Sequence, residues 1–199
     1  NRLGYLYTDQ LIQTVSAAIE EAREKNRPLP TAADLDYILE RTKGQSLPPA
    51  ELLRRATEIA TIRAQGQPGH SETIGPIIGV VGAGEMGHQL ALDYARAGYE
   101  VHMSDRSLEL GEKGRERIVS TLLGAVERGL YTAEEAAQCL ARIHLSDSML
   151  QTAERIQGEG RTFEMIIEAA TEDLEKKRAI FLGKLDDDNI VLENGLRHV

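Results

Sequence analysis

Three glycines in the stretch Val80-Val81-Gly82-Ala83-Gly84-Glu85-Met86-Gly87 stand at the spacing of a loop that cradles a pyrophosphate. Gly82 permits the tight turn, Gly84 lets the backbone approach the phosphates, and Gly87 lets the following helix lie close to the strand before it. Glu85 and Met86 complete the loop where a helix begins, so its free N–H groups and positive dipole end aim at the ligand. Asp105 lies eighteen positions past Gly87, where a carboxylate accepts hydrogen bonds from ribose hydroxyls. A negative charge there repels a 2′-phosphate, so NAD is expected rather than NADP, with Arg106 beside it as the opposing charge.

These residues need particular elements around them. Ile77-Ile78-Gly79-Val80-Val81 is continuously apolar, the pattern of a strand buried on both faces. A helix is expected from Met86 to Ala97, then a second strand over Tyr99-Glu100-Val101-His102-Met103-Ser104 that ends at Asp105. Strand and helix go on alternating, which predicts an α/β chain: a Rossmann-type doubly wound parallel sheet preceded by a small all-helical region. In that front region, 1–64, Leu11, Ile12, Val15, Ala18 and Ile19 repeat at helical spacing until Asn26-Arg27-Pro28-Leu29-Pro30. Thr31 to Asp34 can cap a second helix, and Pro48-Pro49 leads into a third. Residues 65–75 read as a polar, Gly- and Pro-rich linker, and 76–199 as the dinucleotide-binding domain, with the sheet closing at a strand over Asn189-Ile190-Val191-Leu192.

Composition narrows the partners. A net charge of −9 over 199 residues argues against nucleic acid as the main ligand. No apolar run has the length of a membrane span and no signal peptide is visible, so a cytoplasmic protein is expected. The single cysteine, Cys139, sits on a helical apolar pattern with Ala136, Ala137 and Leu140 and reads as a buried, inert thiol. The five histidines are scattered without ligand spacing, so no metal site is expected.

The glycine loop with Ala95-Arg96-Ala97-Gly98-Tyr99-Glu100-Val101 and Asp105 resembles the NAD-binding domain of the 3-hydroxyacyl-CoA dehydrogenase family. The likeness continues at Glu127-Arg128-Gly129-Leu130-Tyr131-Thr132-Ala133-Glu134-Glu135-Ala136, similar to that family's second inserted helix pair, where Thr132 and Glu135 also form a capping box. Ile166-Ile167-Glu168-Ala169-Ala170-Thr171-Glu172-Asp173-Leu174-Glu175-Lys176-Lys177 resembles its fourth-strand motif. The resemblance covers about residues 76 to 193. It implies hydride transfer between NAD and a 3-hydroxyacyl-CoA. It places Ala170, Glu172 and Lys177 against the nicotinamide half of the cofactor, and Thr121 and Arg128 near the CoA moiety, in a stretch made basic by Lys113, Arg115 and Arg117.

Departures from the family pattern follow. Where the family has a Thr-Asn-Thr-Ser segment whose serine binds the substrate oxygen, this chain has Glu193-Asn194-Gly195-Leu196. Asn194 matches as a cofactor contact, whereas Leu196 cannot donate a hydrogen bond. The family's histidine base lies some twenty residues past the serine position, and His198 comes too early, so the domain is expected to be truncated at its C-terminal end. Asn1-Arg2-Leu3 with Ala33-Asp34-Leu35-Asp36 faintly resembles the family's helical C-terminal domain. Two other readings stand beside the dehydrogenase: a catalytically incomplete dinucleotide-binding module acting as partner or sensor, and a dehydrogenase of a free hydroxy acid. An apolar area left uncovered by the sheet domain predicts a homodimer with the front helices in the contact.

Overall fold

A computed structural model describes residues 9–42, 47–68, 75–170, 173–175 and 177. The chain divides into two compact units: Asn1–Gln65 with Leu123–Ala137, and Gly66–Leu122 with Gln138–Val199. Glu172, Asn194 and the expected strand over 189–192 lie outside the described residues.

The first unit holds three front helices, α1 (Asp9–Glu24), α2 (Ala32–Arg41) and α3 (Pro49–Gln65). The expected stop after α1 is seen at Asn26, which takes a positive φ of 49° and leads into the two prolines. Thr31 caps α2 as its spacing predicts. Its hydroxyl accepts the Asp34 N–H at 3.3 Å, and the Asp34 carboxylate accepts the Thr31 N–H at 2.9 Å. Asp34 also meets Arg63 of α3 at 3.2 Å, so the cap residue is tied to the neighbouring helix. Leu52, Ala56, Ile59, Ala60 and Ile62 supply the buried face of α3.

Segment Leu123–Ala137 belongs to this unit through charge as well as packing. Glu134 receives Arg27 through both oxygens, at 2.6 and 3.1 Å, and Glu127 faces Arg41 and Arg55 at 3.5 and 3.2 Å. The sequence pattern assigns this stretch to 76–199; its contacts join it to the front helices. The Thr132–Glu135 capping box forms as expected, with reciprocal bonds of 2.8 and 3.1 Å.

The second unit is a parallel sheet flanked by helices. Its strands β1 (Ile77–Val81), β2 (Glu100–Ser104), β3 (Ile143–Ser146) and β4 (Phe163–Glu168) run in the order β3-β2-β1-β4. β1 is buried along its whole length, as its unbroken apolar run requires. Between β1 and β2 lies α4 (Glu85–Arg96); α5 (Leu108–Glu127) and α6 (Ala133–Ala141) precede β3, and α7 (Met149–Gly158) precedes β4. The chain leaves β1 toward β2 and later returns to its other side with β4, so the two directions of winding part at the carboxyl end of β1. Ligands of such sheets bind at that switch point.

β3 is the strand that the sequence pattern does not announce, because Ile143-His144-Leu145-Ser146 carries only two apolar residues and owes its conformation to pairing with β2. Cys139 is buried, and burial pushes its thiol up to about 11, in keeping with an inert side chain. Among the described residues no helix is long and apolar enough to cross a membrane.

Candidate functional site

The carboxyl end of β1 opens into the glycine loop, and each glycine meets a different constraint. Gly82 adopts φ +102°, a region open chiefly to glycine, and donates its N–H to Ser104 O at 2.7 Å. A Cβ on Gly82 would lie 2.7 Å from Ala170 Cα, which shows how closely the end of β4 approaches the loop. A Cβ on Gly87 would overlap the Gly82 carbonyl oxygen, so α4 can start beneath the turn only with no side chain there. Gly84 differs from both. A Cβ at that position meets nothing within 4 Å among the described residues, and its φ of −68° suits any residue.

No neighbour among the described residues therefore requires glycine at 84. The space outside it is where a pyrophosphate backbone approach would occur, and the exposed residues Gly84, Glu85 and Met86 form the N-terminal end of α4. His88, buried one turn on, donates from Nδ1 to Gly84 O at 2.7 Å and fixes the loop from below. The sequence gives this histidine no prominence, its only signal being the four-residue spacing from Gly84.

Asp105 stands at the carboxyl end of β2, partly exposed beside the loop. Its Oδ2 accepts the Ala83 N–H at 2.7 Å and its Oδ1 accepts the N–H of Arg106 at 2.7 Å. A carboxylate held by two backbone donors keeps a fixed orientation and still has lone pairs for a diol. The Arg106 side chain is exposed.

On the β4 side the organising residue is Glu168, to which the sequence pattern assigns no role. Its side chain is only 5% exposed; Oε1 accepts the Ala170 N–H at 2.6 Å and Oε2 meets Lys177 Nζ at 2.9 Å. Glu168 thus brings together two of the three residues expected near the nicotinamide, while the third, Glu172, lies outside the described residues. The expected CoA contacts are not assembled in the same way. Thr121 and Arg128 are both exposed but fall in different compact units, and the Thr121 hydroxyl donates to Arg117 O at 3.0 Å.

The basic stretch before them is largely committed. Lys113 pairs with Glu109 at 2.7 Å and Arg117 lies 3.7 Å from Glu85. Arg115 is buried and donates to the carbonyls of Ile143 and Gly66 at 3.0 and 2.5 Å, so it is a structural cation rather than a phosphate ligand. Gly114, also inconspicuous in the sequence, is needed because a Cβ there would lie 2.7 Å from the Ala83 Cβ.

The family model of the 3-hydroxyacyl-CoA dehydrogenase NAD binding domain matches residues 77–191, more than half of the chain and all of this geometry. The chain belongs to the 3-hydroxyacyl-CoA dehydrogenase family. The cofactor of this domain is NAD. The chain is 36% identical over 104 residues to 3-hydroxybutyryl-CoA dehydrogenase of Mycobacterium tuberculosis (strain ATCC 25618 / H37Rv), covering 52% of this chain and 34% of the relative. It is 32% identical over 104 residues to the enzyme of that name from Bradyrhizobium diazoefficiens, covering 52% and 33%. Among solved structures, (S)-3-hydroxybutyryl-CoA dehydrogenase from Ralstonia eutropha is similar at 30% identity with a TM-score of 0.48, over 57% of this chain and 39% of that one. The matched region spans about a third of the length of these curated relatives.

Proposed function

We propose that the chain supplies the NAD-binding part of a dehydrogenase that oxidises the hydroxyl of a 3-hydroxyacyl-CoA to a ketone. The observation that carries this reading is Gly84, a glycine that no contact among the described residues demands, inside a family-matched loop whose flanking carboxylate is already oriented. Bound NAD would supply the hydride acceptor. The protein's own contribution is to hold and orient: the α4 N-terminus binds phosphate, Asp105 takes the ribose, and Ala170 and Lys177 border the nicotinamide end. Glu172 and Asn194 join them in this proposal by sequence match alone. Thr121 and Arg128 are proposed for CoA by the family resemblance alone.

NADH formation from 3-hydroxybutyryl-CoA by the full-length protein tests the reading. Turnover is expected; none at saturating NAD, with NADH binding intact, overturns the activity. That second outcome is what the binding-module alternative predicts, and Leu196 at the expected serine position favours it. Equal turnover of free 3-hydroxybutyrate would move the substrate to a hydroxy acid.

The setting is proposed to be cytoplasmic fatty-acid metabolism, with the protein a homodimer, the dinucleotide-binding domain lying within 76–199 and the helical region of 1–64 taking Leu123–Ala137 into its own unit. Support for self-association comes from the first unit, where α1 leaves Ile12 54% and Val15 38% exposed at i, i+3 spacing.

A further inference from the structure

Parallel pairing of β2 with β3 sets His102 directly opposite His144. The two imidazoles stack with centroids 4.7 Å apart and planes 18° apart. Glu100, two residues before His102 and therefore on the same face of β2, accepts from His102 Nε2 at 2.9 Å. One ligand atom from each of the three residues lies within 4.8 Å of the others. Sequence spacing hides this group, because its members come from strands separated by two helices.

The cluster sits near the amino ends of β2 and β3, away from the carboxyl ends that carry the glycine loop, and nothing in the proposed dehydrogenase uses it. It is dry on one side and open on the other. His102 is buried with the Phe163 ring edge-on at 5.8 Å, while His144 and Glu100 are partly exposed.

We propose that Glu100, His102 and His144 form a site for a borderline transition-metal ion such as Zn2+, Co2+ or Ni2+, bound by two imidazole nitrogens and one carboxylate oxygen. This donor set is one that zinc takes in three-ligand sites, with the remaining position left to water. Tetrahedral ligands at about 2.0–2.1 Å from the ion lie about 3.4 Å apart. Binding would require side-chain rotation at the partly exposed Glu100 and His144, with the His144 ring leaving its stack on His102 so that both ring nitrogens point at one ion. His102 Nε2 then gives up the proton it donates to Glu100, so that the neutral ring carries its proton on Nδ1 and Nε2 takes the ion.

Burial holds both histidines below their ordinary pKa, His144 at about 4, so near neutral pH each is in the uncharged form that ligates. Arg161 stays on the other oxygen of Glu100 at 2.6 Å, the place of a partner that orients a ligating carboxylate. With Arg161 and Arg155 nearby, the site has no surplus negative charge, so imidazole coordination rather than charge must hold the ion. Hard cations such as Mg2+ and Ca2+ are therefore excluded. Bound metal would clamp β2 to β3.

Calorimetric titration of the full, chelator-treated chain with ZnCl2 tests this. One equivalent should bind, and His144→Gln and Glu100→Gln should each weaken binding at least about tenfold. His70→Ala and His198→Ala should leave it unchanged, and MgCl2 should give no saturable heat. Co2+ should give the wild-type protein visible absorption bands of nitrogen–oxygen coordination without thiolate charge transfer, a readout that needs no variant. Absence of a one-equivalent isotherm, or binding that survives His144→Gln, overturns the proposal and leaves the stacked histidines as packing only.

Discussion

Asp105 Oδ2 receives the backbone N–H of Ala83 at 2.7 Å, so the residue expected to recognise the ribose also braces the loop that holds the phosphates. The two roles are coupled in one carboxylate. Asp105→Ala should weaken NADH binding by about 1.5–3 kcal/mol, roughly tenfold to a hundredfold. Asp105→Asn, which keeps an acceptor for Ala83, should lose less. Fluorescence titration with NADH and NADPH measures both, and equal affinity of the wild type for the two nucleotides would contradict the role given to Asp105.

Gly84 and Gly87 should separate binding from folding. Gly84→Val places a Cβ where no described residue lies within 4 Å, so the melting temperature should change little while NADH binding is lost. Gly87→Ala drives a methyl into the Gly82 carbonyl oxygen and should destabilise the second unit by about 3 kcal/mol or more. Thermal melts and nucleotide titrations of the two variants form one experiment. Equal melting temperatures for the two would refute the distinction.

The Arg27–Glu134 pair is partly buried and bidentate, which places it above the median surface ion pair. A double-mutant cycle with Arg27→Ala and Glu134→Ala should give a coupling of about 1 kcal/mol, read from urea midpoints. A value near zero would mean that Leu123–Ala137 is held to the front helices by apolar packing alone.

Acid should weaken the second unit earlier than carboxylates alone would dictate. Burial first, then the His102 charge and those of Arg155 and Arg115, hold His144 near 4 against the pull of Glu100, and burial also lowers His102. A histidine whose folded pKa lies below its unfolded value of 6.5 contributes stability that is complete above 6.5 and is lost as pH falls toward 4. After allowance for the partial exposure of His144, the loss is on the order of 2 kcal/mol. His144→Gln should flatten the stability profile between pH 6.5 and 4, and an unchanged slope would sink the assignment.

Self-association gives a fifth test. Light scattering at micromolar concentration should return a dimer mass, and Ile12→Glu with Val15→Glu should shift it toward monomer. A monomer mass for the wild type leaves the NAD site untouched but removes the dimer.

What could be read from the sequence was local. The apolar run of β1, the glycine spacing and the Thr31 and Thr132 caps each act within a few residues, and each appears where its pattern puts it. What stayed hidden depends on partners distant along the chain. β3 is extended because β2 lies beside it, the histidine pair exists because of that register, and Glu168 gains its role only where Ala170 and Lys177 fold back on it. Arg115 shows the opposite failure: its charge suggested a ligand, while its burial made it a bracket between two carbonyls.

Gly114 and Ala83 also limit what variation can do here. Their contact leaves no slack on either side: one partner has no side chain and the other a single methyl group. Enlargement at 83 cannot be rescued by trimming 114, and a Cβ at 114 would meet the Ala83 carbonyl oxygen at 2.8 Å as well as its methyl group, so no exchange of the side chain at 83 makes room for it. Recombination that brings a larger residue to 114 should therefore fail whatever stands at 83, although α4 and β2 separate the two positions in the chain.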